Sequence, residues 1–312
     1  LLFRVSVLLF CRCESLQNKG ETPMSDSDLI TVKLGRHAES GQNTNEVDHR
    51  NIGDYLIPVT KQGTPRARKM GSLVGADYLR SSAIWSSPYV RPRMTCLNSL
   101  VGAGLLDPER LVQFDPLWDL ALKANESVGY AMTAFASRKV EADVLQALRE
   151  RALKDHGELK ALARQLGAFM LEVTKELGLR YYEELSLREV EHGMGDHAEQ
   201  LFLQTIHHPL FWRFELGGEN GADCYDRVFA FTDSMHRQLL RKKIKNAMIY
   251  SHGLTIRLFV MRFLHLTLEQ FELIGNPRNC DVITIAPRSA LENPQFVTGR
   301  YGVVGLRLRT PT

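Results

Sequence analysis

The stretch that decides the fold is LITVKLGRHAESGQNTN, residues 29–45. Its β-branched and apolar residues over 29–34 read as a buried strand. The strand stops on Arg36-His37 and gives way to a small residue and a polar, glycine-containing loop. Two neighbouring cationic side chains at the end of a buried strand are costly unless an anion pairs with them. Open parallel sheets bind ligands in the crevice beyond the carboxyl ends of their strands. The stretch therefore predicts one strand of such a sheet with an anion site at its tip.

The same layout recurs twice further along. YSHG (250–253) places His252 directly after a strand read over 247–250, and SSPYVRPR (86–93) places Arg91 and Arg93 just past a strand read over 83–87. A helix starts after Gly253, and its free N–H groups favour an anion at the same end of the sheet. Arg36, Arg91, His37 and His252 together describe a phosphate cradle, because guanidinium groups match phosphate oxygens bidentately and stay charged at any working pH.

Between the strands lie helical patterns. One starts at a capping Thr60 or Thr64, with Pro65 in its first turn; others run through RMTCLNSLVG (93–102), 222–240 and 254–264. The last strand is read over 281–286. Alternation of strands and helices predicts an α/β fold, a three-layer α/β/α sandwich around a mostly parallel central sheet. From Val140 to Leu177 apolar positions step by three and four, with a polar break at KDHGE (154–158). This predicts two amphipathic helices, a helical hairpin inserted at about 120–180 into a single domain spanning 27–312. It reads as a lid or buttress, with a partner-binding surface as the alternative.

Composition bounds the function. A net charge of +3 over 312 residues is too small to argue for nucleic acid or an acidic membrane surface, so any important positive potential is local. Five cysteines without a C-x-x-C pair suit a reducing compartment better than a disulfide framework, which makes a cytoplasmic location the default. The apolar LLFRVSVLLF (1–10) is shorter than the about 20 residues a membrane span needs, and residues 1–26 read as a disordered or non-native extension.

In order and spacing, LGRHAESGQN, SSPYVRPRMT, SLREVEHG, GGENGADCYDRV and YSHGLTIRLFVMRF resemble the histidine phosphatase superfamily, the phosphoglycerate mutase-like group. The likeness is strongest to its broad-range acid phosphatase-like members, through GDYLIP and Thr60 and Gly63 beyond it. It covers roughly 29–100 and 181–286 and leaves 115–180 unexplained. The resemblance implies that His37 is the nucleophile that becomes phosphorylated. It also implies that Arg36, Arg91 and His252 hold the phosphoryl oxygens, that Asn43 lines the pocket, and that Glu189 is the general acid and base. Asp119, in DPLWD (115–119), resembles the start of another family block and competes with Glu189 as the acid. Glu219 borders the pocket by resemblance or supplies negative charge at a helix start. Ala38 departs from the family, where glycine is commoner.

These roles agree with simple chemistry. An imidazole attacks only when neutral, and adjacent arginines favour that form. Fixed cations stabilise charge spread over a transferring phosphoryl group, and a carboxylic acid can protonate the leaving oxygen. The scheme requires no metal and no cofactor. His192, His197, His207 and His208 match no standard ligand spacing. Arg93 is either a direct contact or a surface cation after Pro92.

The expected activity is metal-independent hydrolysis of phosphomonoesters through phosphohistidine, on a phosphorylated small molecule. A phosphoglycerate mutase is the nearest alternative. It is disfavoured because residues 190–214, which would carry a basic carboxylate grip, hold a single arginine, Arg213. A catalytically weak phospho-ligand binding or scaffold protein is the alternative of another class. Natural substrate and oligomeric state are open.

Overall fold

A computed structural model describes residues 29–309 except Pro209 and the side chain of His197; the extension read over 1–26 lies outside the described residues. In chain order the elements are β1 (Thr31–Arg36), α1 (His49–Ile52), α2 (Gly63–Val74), α3 (Ala76–Ser81), β2 (Ser82–Ser86), α4 (Val90–Gly102), α5 (Pro116–Ser137), α6 (Ala142–Glu176), β3 (Arg180–Glu183), α7 (His197–His207), α8 (Gly221–Lys242), β4 (Asn246–Ser251), α9 (Gly253–Phe263), α10 (Leu268–Glu272), β5 (Val282–Pro287), β6 (Phe296–Thr298) and β7 (Tyr301–Val304).

Among the described residues seven strands form one sheet in the order β3-β2-β4-β1-β5-β7-β6. The first four in that order run parallel, β5 pairs antiparallel with β1, and β7 and β6 extend the sheet by further antiparallel pairing. The sheet is buried on both faces. Along β4, Ala247 and Ile249 enter the core shared with α8 and α9, while Met248 and Tyr250 enter the core shared with α4 and α6. That alternation follows from the two-residue period of a strand and makes the architecture a three-layer α/β/α sandwich.

Helix α4, which carries Arg91, lies unusually close to α2. A Cβ on Gly71 would stand 2.0 Å from the Ser99 carbonyl oxygen, and one on Gly102 would stand 1.7 Å from that of Arg68. Only glycine admits this approach. Neither Thr60 nor Thr64 is the cap of α2, whose N-cap is Gln62 without a side-chain bond, but Thr60 Oγ1 accepts from the first helical N–H, Gly63 (2.9 Å); Gly75, at φ +86°, separates α2 from α3.

A helical hairpin is inserted between α4 and β3, but its arms are not those the sequence suggests. Residues 142–176 form one continuous helix, α6, and the second arm is α5. KDHGE does not break α6, because its polar residues face partners across the hairpin. Asp155 is buried against Lys123 Nζ of α5 (2.9 Å), and the His156 ring meets the Ile52 carbonyl (Nε2 to O, 3.1 Å). The turn falls instead at Arg138, in the left-handed region at φ 52°. Among the described residues no helix is long and apolar enough to cross a membrane.

Candidate active site

Strand register brings the two histidines together. Arg36 of β1 pairs with Ser251 of β4, so the next residue on each strand, His37 and His252, stand side by side where the strands end. The ladder continues one bond further, from His37 N–H to the Ser251 carbonyl (2.9 Å). The imidazole centroids are 5.1 Å apart, edge to face, and both rings are buried. Ser87 follows β2, the neighbour of β4 on its other side, and its hydroxyl lies 3.0 Å from His252 Nε2.

The tautomer of His37 is dictated by its neighbour. Nδ1 lies 2.8 Å from the Ala38 carbonyl oxygen, which can only accept, so in the neutral ring Nδ1 carries the proton and Nε2 keeps its lone pair. Burial first, then the charges of Arg91 and Arg36, push the pKa of His37 well below the usual imidazole value of 6.5. The His252 ring is pushed the same way by burial, Arg91 and His37. Both rings are therefore neutral near pH 7. The methyl of Ala38 packs with Val59 and Ala67, while its N–H donates to Thr95 Oγ1 (2.9 Å). The departure from glycine is accommodated in a small apolar cluster.

Arg91 is fully buried near the start of α4. Its Nη1 donates to the Asp54 carbonyl (2.7 Å) and pairs with Asp54 Oδ1 (2.9 Å), and Nη2 donates to Oδ2 (3.1 Å). The Tyr89 ring lies 5.2 Å from the Arg91 guanidinium and 5.2 Å from the His252 ring, filling the space between them. Arg36 donates from Nη1 to the Pro277 carbonyl (2.5 Å), and its buried Nε has no hydrogen-bond partner among the described residues. Arg93 instead grips Glu183 of β3 through Nε and Nη2, both at 2.7 Å, so it ties α4 to the sheet edge.

Glu189 completes the group. One nitrogen each of His37 and His252 and one carboxylate oxygen of Glu189 lie within 4.8 Å of one another. Glu189 Oε2 stands 3.7 Å from His252 Nδ1. Burial, opposed by Arg91 and Arg36, raises its pKa above the usual carboxylate value, which favours the acid form. Two imidazoles and a carboxylate at this separation could in principle hold a cation. The flanking guanidiniums of Arg36 and Arg91 make the site more attractive to an anion.

The loop bearing Glu189 is held from behind. Arg227 of α8 donates to the carbonyls of Ser186 (2.5 Å), Arg188 (2.9 Å) and Glu189 (3.1 Å). Glu219 does not reach the three grouped residues. Its carboxylate is taken by Arg188 Nη2, by Arg227 Nη2 (3.2 Å) and by the N–H of Glu191 (3.2 Å). Asp119 also lies outside the group, exposed on α5 and paired with Lys61 Nζ at 3.1 Å. Asn43 is exposed. Its Oδ1 accepts from Ser40 N–H and from Asn279 Nδ2 (3.0 Å), which also donates to the His37 carbonyl (3.0 Å). Of the other candidate histidines whose side chains are described, His192 packs on Phe214, His207 stacks on Trp212 and His208 pairs with Glu272.

Asp54, Ser87, Tyr89, Arg227 and Asn279 are the supports that sequence reasoning missed as parts of the site. Asp54 and Ser87 sit within the quoted GDYLIP and SSPY blocks; Asn279 had no signal.

A neutral buried imidazole, two guanidiniums, a second imidazole and a weakened carboxylic acid make an arrangement that can hold a phosphoryl group. The sequence profile of the histidine phosphatase superfamily (branch 1) matches residues 160–290. A phosphoglycerate mutase-like protein of Arabidopsis thaliana is 26% identical over 267 residues, 80% of this chain and 71% of the relative. A second such Arabidopsis protein is 33% identical over 116 residues, so the match spans 34% of this chain and only 36% of that relative. A broad-range acid phosphatase of Saccharomyces cerevisiae is 26% identical over 304 residues, 81% of this chain and 84% of the relative. Among solved structures, a mycobacterial hydrolase shares the fold, with a TM-score of 0.50 at 13% identity over 90% of this chain and 97% of its own. The profile and these relatives support the histidine phosphatase superfamily for this chain. They support phosphoryl transfer of the phosphatase or mutase kind.

Proposed function

We propose that the protein is a metal-independent phosphomonoesterase that works through a phosphohistidine at His37. The observation that carries this reading is the Nδ1–H bond from His37 to the Ala38 carbonyl, which leaves Nε2 free to attack beside Arg36 and Arg91. In the first step His37 Nε2 forms a bond to phosphorus as the ester P–O bond breaks. Glu189 gives its proton to the departing oxygen, and the alcohol leaves. In the second step Glu189, now a carboxylate, takes a proton from water. The water oxygen bonds to phosphorus, the P–N bond breaks, and inorganic phosphate leaves with His37 neutral again. Arg36, Arg91 and His252 hold the phosphoryl oxygens and stabilise the charge spread over them. Asn43 orders the rim through Asn279. Phosphorylated small molecules are the substrate class.

Hydrolysis is favoured over mutase-type return of the phosphoryl group because Arg213 is already engaged. It pairs with Asp223 (2.7 Å) and donates to the Gly218 carbonyl (3.1 Å). The test is hydrolysis of an aryl phosphate in EDTA by wild type and by His37→Ala, with base-quenched samples examined for acid-labile protein-bound phosphate. Chelator-resistant activity and bound phosphate that both vanish in the variant are expected. Activity that survives His37→Ala would overturn the assignment, and transfer to 3-phosphoglycerate instead of water would favour the mutase.

A further inference from the structure

Beside Glu189 a cavity of about 280 Å3 is walled by Val190, Leu254 and Arg257 with Asn276 and Arg309. Arg257 lies on α9, three residues after Leu254, so both face the cavity on one side of the helix. Its side chain is buried, with the residue 5% exposed, and neither Nε nor Nη2 has a hydrogen-bond partner among the described residues. The guanidinium sits over the Phe271 ring at 4.4 Å, a face contact that makes no hydrogen bond to Nε or Nη2. Burial first, and then the neighbouring cation Arg309, push its pKa down to about 9.

A buried guanidinium with no carboxylate partner among the described residues and a second cation beside it is an arrangement that an anion relieves. The cavity has room for one, and Glu189 belongs both to its lining and to the group with His37 and His252. Glu189 in its acid form carries no charge to repel such a guest. We infer that Arg257 and Arg309 form a second anion subsite, and that the preferred substrates carry a carboxylate or a second phosphate on the far side of Glu189 from the scissile phosphoryl group. This inference rests on the phosphoryl group occupying the cradle of His37, Arg36 and Arg91.

The test is calorimetric titration in a His37→Ala background, so that ligands stay intact. The probes are 3-phosphoglycerate against glycerol 3-phosphate, and propane-1,3-diol bisphosphate against its monophosphate. The expected result is binding of at least one doubly anionic probe about 10- to 100-fold tighter than its partner, the range of a charge-assisted contact. The pair with the larger ratio tells whether carboxylate or phosphate is the guest. Arg257→Met should collapse that ratio, and Arg309→Gln, at an exposed position that does not threaten folding, should reduce it. Equal binding within both pairs, or a ratio that survives both substitutions, would overturn the inference. Because the readout is binding, loss of the phosphohistidine reading in the EDTA assay and loss of this subsite are separate results.

Discussion

Replacing Glu189 by Gln separates the two halves of the proposed reaction. The side chain is isosteric, so its contact with the Val190 N–H (3.1 Å) can persist, but it can neither give nor take a proton. A positioned general acid contributes about 10²- to 10⁴-fold, or about 3–5 kcal/mol of barrier. An alkyl phosphate, whose leaving oxygen is strongly basic, should show that full loss in kcat. An aryl phosphate leaves as a weak base and needs little help in the first step. It should still phosphorylate His37 rapidly and then stall, because no carboxylate remains to deprotonate the attacking water. Stopped-flow release of the aryl alcohol should therefore show a burst of about one equivalent per chain, followed by a slow steady state. Asp119→Asn should turn over like wild type, since Asp119 is exposed and occupied with Lys61. Equal slowing of both esters without a burst would refute the acid–base role of Glu189. A burst in Asp119→Asn would move that role to Asp119.

Other expectations follow from the same geometry. Activity requires neutral His37, whose pKa is lowered, and protonated Glu189, whose pKa is raised, so kcat/KM should fall as pH rises through the pKa of Glu189; the Gln variant should lack that alkaline limb. Stability should fall as pH drops below about 6.5, because the unfolded chain then binds protons that buried His37 and His252 still refuse. The slope can reach about 2.7 kcal/mol per pH unit for two such groups, and pH-dependent denaturation checks it. Arg227→Met should lower kcat more than it raises KM, by freeing the loop that carries Glu189, and its pH profile should shift because Glu189 moves; an unchanged profile would leave Arg227 a purely structural role. Gly71→Ala should cost about 1–3 kcal/mol or more in chemical denaturation, since backbone of α4 blocks the new methyl.

The parallel half of the sheet was legible because buried strands announce themselves as short apolar runs. β1, β2 and β4 each end at or just before residues that matter, so reading the strand also places Arg36-His37, Arg91 and His252. β3 was missed because RYYE is short, polar at both ends and only half buried at an edge. β6 and β7 were missed for a related reason, as FVT and YGVV are brief and partly exposed. The misplaced hairpin turn has a different cause. KDHGE looks like a loop by composition, but helix–helix pairing with Lys123 and Ile52 satisfies its polar groups, and tertiary partners override local propensity.

The site was legible to the depth at which chemistry fixes residue type, and no further. A phosphoryl cradle needs guanidiniums and a nucleophile at strand ends, so Arg36, His37, Arg91 and His252 could be named. The carboxylate, Glu189, was named by resemblance alone and with Asp119 competing, because Glu189 lies 152 positions from His37 on a loop with no helical or strand period of its own. Its placement depends on Arg227, which gathers three backbone carbonyls of that loop, and on Glu219, which pairs with Arg227 in turn. Glu219 thereby moves from a candidate at the pocket to a support one layer behind it. The same logic separates Arg91 from Arg257. Both are buried arginines, but Arg91 is held by Asp54 before any anion arrives, whereas Arg257 has the Phe271 ring and a repelling Arg309. A fold gains nothing in stability from an uncompensated buried cation, so the reason for Arg257 is to be sought in what enters the cavity beside Glu189.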